Sequence, residues 1–106
     1  MSLSQSLSGV HEQLAADARL FILVELDAQT DGHLNAVSLR SLLRARYGID
    51  RTPEWLATQL NLLADLGAVE VISAGAIPIA RILAPGQHHV AQRSILAGVT
   101  RPRDAS

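Results

Sequence analysis

Thr58, Gln59 and Asn61 fall on one helical stretch, and their hydroxyl and amide groups are of the kind that bond to base edges. The cations are nine arginines, with no lysine. Arg40 and Arg44 are i, i+4 neighbours, a mildly repulsive placement on a bare helix that a phosphate or an acidic partner relieves. Arg51 follows shortly after them, and Arg81 is the basic residue of a later β-rich run. Guanidinium groups grip phosphate oxygens. Arg40, Arg44, Arg51 and Arg81 are therefore candidate phosphate contacts, and Thr58, Gln59 and Asn61 candidate base contacts. The competing reading is structural. The polar trio is then a solvated helix face, and the arginines lie over apolar surface or pair with Asp50 and Glu54.

Other chemistries find no constellation. His88 and His89 are adjacent, so on a helix they diverge by about 100° and share one ion poorly. His11 and His33 are distant in sequence, and cysteine is absent, which excludes disulfides, thiolate metal sites and a Cys nucleophile. No Ser-His-Asp spacing, phosphate-cradling glycine loop or zinc-protease motif is present. The expectation is a protein that is not an enzyme and carries no cofactor or metal. Trp55, the single Trp, is either an exposed binding anchor or packed against the preceding helix.

The 106 residues suit one domain, and 48% hydrophobic content excludes a disordered chain. Leu and Ala dominate while aromatics are 3%, which favours helices over a β-sandwich. Net charge is −1, without the positive excess usual in a sequence-independent DNA binder. The charge is uneven: residues 1–28 carry −3, 31–50 carry +1, 51–70 carry −2 and 71–106 carry +3. An anion-binding surface must come from the second and last of these. The run Leu20 to Val24 is too short to span a membrane, and the Ser-rich start lacks a signal peptide's basic and apolar regions. A cytoplasmic domain with no membrane partner is expected.

Helical spacing of Leu14, Ala18, Phe21 and Ile22 predicts a first helix from about His11 to Ala28. The five apolar residues from Leu20 to Val24 cover its whole circumference, which suits a central helix or a dimer interface. In so small a chain the dimer is favoured, with Leu20, Leu23 and Val24 at the interface. Asn35 caps a second helix to Tyr47, with Val37, Leu39, Leu42 and Leu43 inward and Gly48 at its end. Thr52-Pro53-Glu54 starts a third helix, whose stripe is Leu56, Leu60 and Leu63, extended by Leu66 and stopped by Gly67. Two β-rich runs, Ala68 to Ser73 and Ala76 to Leu83, flank a Gly and read as a hairpin in which Pro78 demands a free edge. Residues 84–93 form a short last helix weakened by Gly86.

With His33-Leu34 as a short extended link after the first helix, the order helix, short strand, helix, turn, helix, two-strand hairpin is that of a winged helix-turn-helix. The expected fold is α+β and mainly helical: a three-helix core, a two-strand β-hairpin wing and a short C-terminal helix. Residues 1–10 are a flexible N-terminus, 11–93 the domain and 94–106 a tail. More narrowly, the chain resembles the small ArsR-like winged-helix proteins of Mu-like phages and prophages. The resemblance rests on Leu20 to Leu26, Leu34-Asn35, Thr52 to Val69 and Gly98-Val99-Thr100-Arg101-Pro102. It implies the fold and a phage or prophage origin; the commonest use of that fold gives the functional expectation, a dimeric DNA-binding protein that places its third helix in double-stranded DNA, as a transcriptional regulator. The alternative is a winged-helix scaffold that binds a phage protein during development or assembly. The uncharged tip Ser73-Ala74-Gly75-Ala76 and the acidic first helix favour that alternative.

Overall fold

Helix α1 (Leu3–Asp27) begins eight residues before the predicted start. Leu7, Val10 and Leu14 continue the helical spacing upstream, no proline intervenes, and extending a packed helix avoids the cost of a new nucleus. The expected flexible N-terminus is therefore helical from Leu3; the computed structural model describes residues 3–105, so Met1 and Ser2 lie outside it. The chain continues through β1 (His33–Asn35), α2 (Ala36–Tyr47), α3 (Pro53–Asp65), β2 (Val69–Ala74), β3 (Ile77–Ile82) and α4 (Ala84–Val90). A single 3-10 turn, Pro102–Asp104, follows. The architecture is α+β and mainly helical.

The cap residues behave as their chemistry dictates. The Asn35 side chain accepts from the Ser38 amide, and Thr52 Oγ1 accepts from the Trp55 amide with Pro53 in the first turn of α3. At the end of α3, Gly67 adopts φ 74°; its N–H bonds to Ala64 O, and the Ala68 N–H to Leu63 O at 2.9 Å. This pair of bonds turns the helix directly into β2. The same pair closes α4, from Gln92 N–H to His89 O and Arg93 N–H to His88 O, but here a glutamine holds the left-handed position at φ 61°. Gln92→Gly removes that steric cost, so it is expected to stabilise the protein by about 1 kcal/mol in urea denaturation.

The sheet is antiparallel in the order β1-β3-β2, three strands where two were expected. His33, Leu34 and Asn35 pair with Arg81, Ala80 and Ile79. This pairing stops one residue short of Pro78, which pairs only with Ser73 on the other side. Pro78 thus keeps the one-sided freedom it requires, although β3 is the central strand.

The core runs through the centre of α1. Leu20, Ile22, Leu23 and Leu26 are at most 2% exposed in the single chain. Leu20 and Leu23 are therefore unavailable for the expected dimer interface, and Val24 is half-buried against the same core. Helices α2 and α3 cover one part of α1; α4 and the segment after it cover another. That last segment is a packed element rather than the expected tail. Val99 is in the core, the Thr100 amide donates to Ala16 O, and Thr100 Oγ1 donates to Asp17 at 2.6 Å. Buried His89 anchors it: the Leu96 amide donates to Nδ1, which leaves the Nε2 proton to bond Thr100 O at 2.9 Å. Gly86 strengthens the docking of α4, contrary to expectation. A Cβ there would lie 2.5 Å from Ala68 O and 3.2 Å from Leu23 Cδ2.

Candidate functional site

The candidate residues lie on α2, the turn after it, α3 and the hairpin. Arg40 and Arg51 come together because Arg40 Nε donates to the Arg51 carbonyl at 2.6 Å. Arg44 stands one turn along α2 from Arg40 and is exposed. The Arg51 guanidinium lies over the half-buried Trp55 ring, 5.7 Å from its centroid, so Trp55 supports a cation instead of standing free as an anchor. Among the described residues, Arg19, Arg46, Arg81 and Arg101 each have a carboxylate within ion-pairing distance; Arg40, Arg44 and Arg51 do not. The three therefore form one uncompensated cationic ridge at the entry to α3.

The rest of the candidate set divides. Thr58 and Asn61 are exposed on α3. The Thr58 hydroxyl donates to Glu54 O, which leaves its lone pairs free to accept. Gln59 is 4% exposed, and its Oε1 accepts from Arg19 Nη1 at 2.7 Å. It faces the interior between Leu56 and Leu63 and cannot reach a base. Arg81 is held by Glu70, its partner across the β2–β3 ladder, so its charge is already matched. The hairpin turn between β2 and β3 carries no cation.

Beside the ridge runs a groove of about 380 Å³ between α2, α3 and the hairpin, lined by Val37, Ala57, Val71, Ile77 and Pro78, with Arg40, Glu54 and Asn61. The spacing misplaced Val37, which is 59% exposed. The inward face of α2 is Leu39 and Leu43, one turn apart, and Val37 is about 200° from Leu39. Leu42 is half-buried, and Leu66, expected to extend the α3 stripe, is 37% exposed at the helix cap.

Two buried polar links brace this surface from behind. Arg19 joins α1 to α3 through Gln59 and to the C-terminal segment through Gly98 O at 2.9 Å, and also pairs with Glu12. Glu25, 3% exposed, accepts from Arg46 at 2.8 Å and ties α1 to the end of α2, where Phe21 stacks on Tyr47 at 4.1 Å. Burial pushes the Tyr47 phenol up, the Glu25 carboxylate adds to this, and Arg46 opposes it. His88 is exposed and His89 buried, and among the described residues no three His, Asp or Glu side chains converge as a metal ion would need. Among those residues, too, no helix is long and apolar enough to cross a membrane. No protein-family model matches the chain, and neither a curated protein nor a solved structure does.

Proposed function

We propose that this protein binds double-stranded DNA as a winged-helix domain. The observation that carries the reading is the uncompensated ridge of Arg40, Arg44 and Arg51 beside the open face of α3. Phosphate contacts supply affinity and register, and a helix flanked by them is placed for the major groove. In this reading the three arginines hold phosphates, and Thr58 and Asn61 face base edges. The element order supports it: three helices lead into a hairpin, with β1 adding a third strand. The resemblance to ArsR-like proteins of Mu-like phages extends the proposal to transcriptional regulation in such a phage or prophage.

Salt dependence tests it. Three neutralised phosphates give a slope of log K against log salt near −3, so affinity for a mixed duplex pool falls on the order of 40-fold between 50 and 200 mM salt. Arg40→Ala with Arg44→Ala weakens duplex binding at least tenfold at low salt and flattens the slope to about −1. Binding that is absent at low salt, or unchanged in slope by the double variant, overturns the reading.

A further inference from the structure

The groove between α2, α3 and the hairpin has the build of a small-molecule site: an apolar trough of about 380 Å³ with a few polar groups at its ends. Thirteen residues line it, against about 20–30 on each side of a standard protein interface, so its scale suits a small molecule. We infer that it binds an amphiphilic carboxylate, a straight aliphatic chain of about eight carbons whose head group is held by Arg40.

The head end is defined by Arg40. Its Nε donates to the Arg51 carbonyl at 2.6 Å, which fixes the guanidinium and leaves its two terminal nitrogens as a fork. A fork of that kind grips a planar carboxylate through two parallel bonds. Arg40 is half-buried, so an ion pair made there is screened less than one on open surface. Glu54 is the one acid in the lining. Arg51, tied to Arg40, and Arg44, one turn along α2, outweigh it, so this end of the groove favours an anion over a cation.

The length of the trough sets the length of the chain. Arg51 lies just before α3, so the Arg40 fork stands at the start of that helix. The lining then follows α3 from Glu54 through Ala57 to Asn61, a rise of about 10 Å. An extended eight-carbon chain, at about 1.25 Å per bond, has nearly that length. Between the ends the walls are aliphatic, including Val37 at 59% and Ile77 at 46% exposure, with no aromatic side chain to stack a planar ring. The inference does not rest on the DNA reading. Where both hold they compete, because a fork that holds a carboxylate is withheld from a phosphate.

Titration of the isotope-labelled chain with octanoate, followed by backbone amide chemical shifts, tests the proposal. The expected result is saturation with a Kd of about 1 mM or below, and shifts confined to groove amides such as Val37, Ala57 and Ile77. Octanol and octylamine bind at least about tenfold more weakly, because neither offers the fork an anion. Hexanoate binds at least about fourfold more weakly, since each buried CH₂ is worth up to about fourfold. Arg40→Gln lowers octanoate to the affinity of octanol, whereas Glu54→Gln removes the one opposing charge and tightens octanoate about twofold. Ala57→Leu, at an exposed position of α3, fills the trough and weakens octanoate and octanol alike by about tenfold. Octanol or octylamine binding as tightly as octanoate overturns the proposal. So does octanoate binding that Arg40→Gln leaves unmoved, or shifts that lie outside the groove. Movement of the same amides on diluting the unliganded chain assigns the groove to a second copy and also overturns it. None of these readouts involves DNA, so failure here is separable from failure of the duplex reading.

Discussion

Arg19→Ala will destabilise the protein by about 2–3 kcal/mol, the upper range for leaving a buried polar partner without its hydrogen-bond donor. The Arg19 side chain is 6% exposed, and its guanidinium reaches Gln59, Gly98 O and Glu12 at once. Alanine leaves the buried Gln59 Oε1 without its donor, an orphan that costs about 1–3 kcal/mol, and frees the Gly98 carbonyl, which lies in an exposed residue that water can reach. The control lies on the other side of the pair. Glu12 is 70% exposed, so Glu12→Gln should cost under about 1 kcal/mol. Urea denaturation of the three chains measures both. A loss below about 1 kcal/mol for Arg19→Ala would mean that water takes over the role of the guanidinium, and the bracing would count for little.

The second large effect is at Gly86. Alanine in a helix is normally an improvement of about 1 kcal/mol over glycine. Here the added Cβ meets Ala68 O at 2.5 Å, and that carbonyl already accepts from the Leu83 amide at 2.9 Å. Backbone on both sides cannot step away cheaply, so Gly86→Ala is expected to cost about 2–3 kcal/mol and to shift α4 off Leu23. Thermal unfolding reads the sign directly. A rise in midpoint would show that α4 has room to move, and the close packing ascribed to it would be wrong.

Both effects arise in the part of the molecule least legible in the sequence. The third helix and hairpin were readable because each carries strong local signals: Thr52-Pro53 at the start, a glycine at the stop, and β-branched residues on either side of Gly75. The three residues of β1 are too few to show a period; they become a strand only by pairing with β3. Residues 94–105 look like a tail because, beside the two side chains of Val99 and Thr100, their anchors are backbone groups bonded to His89, Ala16 and Arg19, and such bonds leave no pattern in the sequence. That misreading has a direct consequence for the dimer. Without the C-terminal segment and α4 as cover, the apolar circumference of α1 calls for a second chain at Leu20 and Leu23.

Within the candidate site, Gln59 was readable but misassigned. It sits three residues after Leu56 and four before Leu63, inside the apolar stripe, so helical period alone points it inward. Its polarity argues for an outward position, and only a buried arginine 40 residues away explains why an amide is tolerated inside. Arg40, Arg44 and Arg51 are exposed or half-exposed cations, and among the described residues no carboxylate lies within ion-pairing distance of them.

The clasp between the end of the chain and its first helix also sets a timetable for synthesis. Arg19 waits for Gly98, 79 residues later, and Asp17 for Thr100, 83 residues later. Until those residues emerge from the ribosome, α1 carries a greasy flank that nothing nascent can sheathe, a state prone to capture by chaperones or by neighbouring chains. Closure of this body is thus a late event governed by long-range contacts, and deleting residues 95–106 would remove the latch.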